Sequence, residues 1–150
     1  MTAPLDIDEA RAPAAPRAAG SGAGPGGVRP VLAGRRVLVV EDDPLTALDL
    51  CLVLQDLGCV PVGPAASVEA AMPMATLHPL DAAMLDEDLG ATLVTPVAHA
   101  LARRGIPFVI VSGHLRPLST NTLITEAPRL PKPARIAQIG RALAASLARA

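Results

Sequence analysis

The sequence predicts an α/β fold, a doubly wound parallel sheet of five strands with helices on both faces. Three observations predict it. Short apolar runs alternate with segments of helical spacing along the chain, and the connections between them are brief. Two of the apolar runs are unbroken by polar residues, as expected of strands buried on both faces. Both then end abruptly in acids: Val37-Leu38-Val39-Val40 in Glu41-Asp42-Asp43, and Ala82-Ala83-Met84-Leu85 in Asp86-Glu87-Asp88. In an open α/β sheet the carboxyl ends of the strands are where ligands bind, so these acids belong to a site.

In chain order, Arg36 to Glu41 reads as the first strand. Asp43 caps a helix with Pro44 at its first position, Leu45, Leu48, Leu52, Leu54 and Leu57 continue it, and Gly58 stops it. Cys59 to Val62 is a short second strand that Gly63-Pro64 breaks. Ser67 caps a helix running to about Met74, weakened by Pro73. Leu80 to Leu85 is the third strand. A helix follows from about Thr92 to Arg104, with Leu93, Val97, Ala100 and Leu101 on one side and Gly105 at its end. Pro107 to Val111 is the fourth strand, closing on Ser112-Gly113. Arg116 to Glu126 fits neither pattern well. Arg129-Leu130-Pro131 is a weak fifth strand, whose proline confines it to an edge or to the strand's last residue. Ile136, Ile139, Leu143 and Leu147 mark a final amphipathic helix.

Residues 1–34 differ from the rest. They are rich in Ala, Pro and Gly and lack the apolar mass to fold, so they read as a disordered tail before a domain at 35–150. A role in interactions for Leu5 to Glu9 is the alternative to a frayed terminus. No apolar stretch follows a basic start, so no secretory signal is expected. No run is long enough for a membrane span. The net charge is −1 and the arginines are scattered, which argues against nucleic-acid binding through a basic face. With 1% aromatic and 51% hydrophobic residues, the core must be aliphatic. Cys51 and Cys59 are too few for a disulfide framework and read as small buried hydrophobes in a reducing, cytoplasmic setting.

Six of the 14 acids lie in the two triplets. Like charges so gathered repel unless a cation sits among them, and a hard divalent ion suits carboxylate oxygens. The basic residues carry a complementary signal. The chain has twelve arginines and a single lysine, Lys132, so a lysine here marks a place where a compact point charge reaches into a site. His78, His99 and His114 show no metal-ligand spacing.

Glu41-Asp42 after the first strand, Asp86 after the third, Ser112 after the fourth and Lys132-Pro133 after the fifth resemble the phosphoacceptor set of response-regulator receiver domains. The resemblance covers about residues 35–149. A finer likeness is to stand-alone receivers of the FATGUY subgroup, carried by Pro96-Val97-Ala98, by the run Ala102 to Phe108 and by Ile110-Val111-Ser112-Gly113-His114. The hydroxyl and glycine of that subgroup's motif are kept and both of its aromatics are lost.

The resemblance implies the flavodoxin-like strand order 2-1-3-4-5 and a single-domain response regulator in a two-component phosphorelay. Asp86 would accept phosphate from a histidine kinase or histidine phosphotransferase. Glu41, Asp42 and Asp86 would hold Mg2+, with Asp88 giving a backbone carbonyl, and Asp43 is left to capping. Ser112 would donate to the phosphoryl group and Lys132 would balance its charge. The protein would act through a downstream protein partner or as a phosphate sink, not as a conventional enzyme, and the fold is compatible with a homodimer. Two other readings stand beside this one. One is a binding module that keeps the fold without phosphorylation. The other is a small Asp-x-Asp phosphohydrolase, which would need that motif on the first strand. Many receivers also carry an aromatic ring three residues before the lysine, where this chain has Arg129. With no ring to move, the response is expected in the loop from Ser112 to Glu126, with Arg129 facing a partner or solvent.

Overall fold

The computed structural model describes residues 29–150. Its five strands are β1 (Arg36–Val40), β2 (Val60–Ala65), β3 (Ala82–Asp86), β4 (Phe108–Ser112) and β5 (Arg129–Pro131). They form one parallel sheet, as the sequence pattern predicts, in the order β2-β1-β3-β4-β5 that the resemblance implies. The helices are α1 (Arg29–Leu32), α2 (Pro44–Asp56), α3 (Val68–Leu77), α4 (Thr95–Arg103), α5 (Thr122–Thr125) and α6 (Ile136–Arg149).

Strand alternation divides the core into two layers. Leu38, Val40, Ala83, Leu85, Phe108 and Ile110 face α3, α4 and α5, whose Ala71, Ala75, Val97, Leu101 and Ile124 pack against them. Val37, Val39, Ala82, Met84, Val109 and Val111 face the other way, against Leu32, Leu50, Leu54, Ile139 and Leu143 from α1, α2 and α6. Strands β3 and β4 are buried along their whole length. Their carboxyl ends therefore emerge from a rigid layer at one fixed edge, and the acids and the hydroxyl emerge with them.

Three expectations are corrected. First, the irregular tail does not extend to residue 34: Arg29–Leu32 forms a helical turn and Leu32 is fully buried beside Leu57 and Cys59. Gly34 N–H also donates to the Gly58 carbonyl at 2.8 Å. A single leucine in an Ala- and Gly-rich stretch finds a place in the core, and a chain cut at Gly34 would lose it. The rest of the tail, with Leu5 to Glu9, lies outside the described residues.

Second, Gly63-Pro64 does not break β2. The strand continues to Ala65 with a register shift against β1 between Leu38 and Val40. Gly63 makes this feasible: its φ is +93°, and a Cβ there would lie 2.9 Å from Ala65 N and 3.1 Å from Val39 O. Helix α2 starts at Pro44 as expected, and the leucines that mark its spacing do not share one environment. Leu45, Leu48 and Leu52 are exposed, while Ala47, Leu50 and Leu54 are buried. The helix is apolar nearly all round, so its spacing alone cannot select the face. Third, Arg129 faces neither solvent nor a partner surface, as described below.

Candidate functional site

At the end of β1 the chain turns through Glu41, Asp42 and Asp43 into α2, and the three acids go three ways. Asp43 Oδ1 accepts from Leu45 N–H at 3.0 Å and its Oδ2 from the Thr46 hydroxyl at 3.1 Å, so it is the helix cap. These bonds hold its carboxyl below the usual range. Glu41 is buried and its Oε1 accepts from Asp43 N–H at 3.1 Å. Asp42 is exposed and shares a group with Glu41 and Asp86, in which one carboxylate oxygen from each lies within 4.8 Å of the others.

Lys132, on the residue after β5, reaches this group. Its Nζ lies 2.9 Å from Asp86 Oδ2, a hydrogen bond, and 2.6 Å from Glu41 Oε2. The Glu41 contact is close but not aligned as a hydrogen bond, so the buried Oε2 has charge beside it and no donor aimed at it. Burial raises the Glu41 pKa, and the Lys132 ammonium and Asp43 N–H only partly offset this. Burial would lower the Lys132 pKa, but the contacts with Glu41 and Asp86 outweigh it and leave the ammonium more firmly protonated. Three carboxylates around one ammonium leave an excess of negative charge on oxygen ligands, and the under-served Glu41 Oε2 is among them. A hard divalent cation fits that donor set.

No protein-family model and no curated protein matches the chain. Solved structures do. SdrG from Sphingomonas melonis Fr1, a solution structure, is 36% identical, with 78% of this chain and 98% of that one covered at a TM-score of 0.66. The BeF3-activated conformation of SdrG, from Pseudomonas melonis Fr1, is 40% identical over 77% of this chain and 98% of that one, with a TM-score of 0.63. The receiver domain of the sensor histidine kinase PA1611 from Pseudomonas aeruginosa PAO1, solved with a magnesium ion in its active-site cleft, shares the fold. It is 23% identical over 77% and 99% of the two chains, with a TM-score of 0.68. The chain belongs to the response-regulator receiver domains.

The remaining expected residues of this receiver are placed as follows. Ser112 ends β4 and is buried, its Oγ accepting from His114 N–H at 3.1 Å, and its carbonyl accepts from Lys132 N–H at 3.0 Å. That bond brings the hydroxyl strand and the lysine strand into register. Asp88 N–H donates to Asp86 Oδ1 at 3.3 Å, while the Asp88 carboxylate turns toward His114, Oδ2 to Nε2 3.6 Å, and stands outside the three-carboxylate group.

Sequence reasoning missed Glu87. Its side chain is fully buried, and Oε1 accepts from Leu118 N–H at 2.7 Å and Ser119 N–H at 2.9 Å. Its Oε2 lies 2.8 Å from Arg129 Nη2. Burial pushes the Glu87 carboxyl up, but the Ser119 and Leu118 amides and the guanidinium more than reverse this, so it stays ionised below its usual range. Arg129 is thus largely buried and committed to an internal carboxylate. Two signals pointed here: an acid directly after Asp86 that the phosphoacceptor set leaves without a role, and a cation three residues before Lys132. Neither alone says that they meet.

Proposed function

We propose that this receiver accepts a phosphoryl group on Asp86 from a histidine kinase or histidine phosphotransferase, and that it signals in the cytoplasm through protein partners or drains phosphate from a relay. The finer assignment to the FATGUY subgroup rests on the motif residues around Ser112 and on α4. The observation that carries the phosphoacceptor reading is the Lys132 ammonium held against Asp86 at 2.9 Å, over three carboxylates whose oxygens gather within 4.8 Å.

In this reading an Asp86 oxygen attacks phosphorus and forms the aspartyl O–P bond. The P–N bond of the donor phosphohistidine breaks, and its electron pair leaves with the imidazole, which takes a proton from solvent. Glu41, Asp42, Asp86 and the Asp88 carbonyl are the groups that would hold Mg2+, which supplies charge neutralisation at the phosphoryl oxygens. The Ser112 hydroxyl donates to one phosphoryl oxygen and Lys132 pairs with another. Asp86, relieved of its own charge by the new bond, gives up the ammonium to its phosphate.

Incubation with acetyl phosphate, with and without Mg2+, followed by intact-mass measurement tests this. The expected result is a gain of one phosphoryl group that needs Mg2+ and is absent in Asp86→Asn. A wild-type chain that gains no mass from acetyl phosphate or from a cognate kinase would instead be a binding module that keeps the fold without the chemistry.

A further inference from the structure

We propose that Glu87 and Arg129 form the link that relays phosphorylation of Asp86 to the edge of the sheet. The inference rests on the phosphoacceptor reading of Asp86 and extends it to how the phosphorylated state is read out.

The two oxygens of one buried carboxylate are divided between two segments. Oε1 holds the chain after Ser112 through the Leu118 and Ser119 amides, and Oε2 holds β5 through Arg129. The Glu87 backbone carbonyl accepts from Val94 N–H at 3.0 Å, at the start of α4. Glu87 therefore ties three elements to the residue next to the phosphoacceptor. The segment between Ser112 and its anchor offers little resistance to movement. A Cβ at Gly113 would meet nothing within 4 Å, Leu115 is 97% exposed, and His114 is bonded through its own N–H to Ser112 Oγ.

A phosphoryl group on Asp86 draws the Ser112 hydroxyl toward it, and the Ser112–His114 bond carries the loop along. At Leu118 and Ser119 the loop meets the carboxylate. An ionised group buried away from water cannot release its donors without leaving charge uncompensated, so displacement of the loop drags Glu87 and Arg129 rather than breaking from them. The Arg129 contact has room to adjust. Its Nη1 and Nη2 are buried without an aligned acceptor, so the guanidinium can rotate against Oε2 and stay paired. On the sheet Arg129 registers with Ile110 and Leu130 with Val111, which makes β5 the recipient of the movement.

The test is amide chemical-shift mapping of the full chain with Mg2+ before and after beryllofluoride, in wild type, in Arg129→Met and in the double variant Glu87→Gln/Arg129→Met. The single variant leaves Glu87 buried and unpaired and risks unfolding. The double variant is neutral and keeps an oxygen for the Leu118 and Ser119 amides. In wild type, shifts should appear at Asp86, Ser112, Leu118, Ser119 and Arg129, including its Nε–H. In the double variant those at Asp86, Ser112, Leu118 and Ser119 should remain, as should that at Lys132, which meets Asp86 and Ser112 directly, and those at positions 129 and 130 of β5 should disappear. Undiminished β5 shifts in the double variant, or a wild type responding at Asp86 and Ser112 with Arg129 silent, would overturn the link and leave the phosphoacceptor reading intact. No response at Asp86 or Ser112 would overturn both.

Discussion

The two acidic triplets look alike in sequence, and the fold uses them differently. In Glu41-Asp42-Asp43 two residues enter the charged cup and the third caps a helix. In Asp86-Glu87-Asp88 only the first enters the cup, the second turns back into the protein to meet Arg129, and the third faces His114 at the surface. The difference follows from what comes next in each chain. After β1 the helix starts at once, so its free amides claim the last acid. After β3 the chain runs through a loop before α4, and Glu87 is free to collect amides from elsewhere. Acids of one sign at one sheet edge are thus sorted by which unpaired donors lie within reach.

The largest effect should come from breaking the pair that sets the second triplet apart. Arg129→Met leaves a fully buried carboxylate with only two amides, and loss of one partner of a buried ion pair costs about 3 kcal/mol. Thermal or urea unfolding of the two chains measures this. Equal stability would mean that Glu87 is served by water and the amides alone. The mirror-image change in the first triplet, Asp42→Ala, should leave stability nearly unchanged because the residue is exposed, and should weaken Mg2+ binding and labelling together. Calorimetry is the suitable readout, since the chain has neither Trp nor Tyr to report by fluorescence. Strong Mg2+ binding that persists without Asp42 would move the ion to other ligands.

The smallest effect should be at Asp43. Asp43→Ala should lower the melting temperature slightly through loss of the α2 cap and leave Mg2+ binding as it was. Its carboxyl is held below its ordinary 3.8, so the unfolded chain takes up a proton there before the folded chain does. The stabilisation is full above that pH and is lost as pH falls through the lower folded-state value. The melting difference between wild type and Asp43→Ala should therefore shrink below about pH 3.8. A difference that is constant with pH would mean that charge plays no part in the cap.

Much of this was legible in the residues. Unbroken apolar runs ending in acids gave β1 and β3, Asp43-Pro44 gave the start of α2, and Pro131 confined β5 to an edge or to ending at that residue, both of which hold. The approach of Lys132 to Asp86 could be expected because a single lysine among arginines has little other reason to sit beside Pro133. What escaped depends on contacts distant in sequence or on choices that local pattern leaves open. Glu87 and Arg129 are far apart in the chain, and each alone resembles an ordinary surface charge. The buried face of α2 escaped because the helix is apolar nearly all round, so its spacing does not select Ala47, Leu50 and Leu54 over Leu45, Leu48 and Leu52. Leu32 escaped because one apolar side chain carries no periodicity.

The central claim is that one acid of the six, Asp86, takes the phosphoryl group. Borohydride reduces an aspartyl phosphate to homoserine and leaves free carboxylates alone, so reduction after phosphorylation followed by peptide mass mapping locates the acceptor directly. The account predicts homoserine at position 86, with Glu41, Asp42, Asp43, Glu87 and Asp88 unchanged. Homoserine at another position, or a phosphoryl group that survives reduction on Ser112 or a histidine, would contradict it.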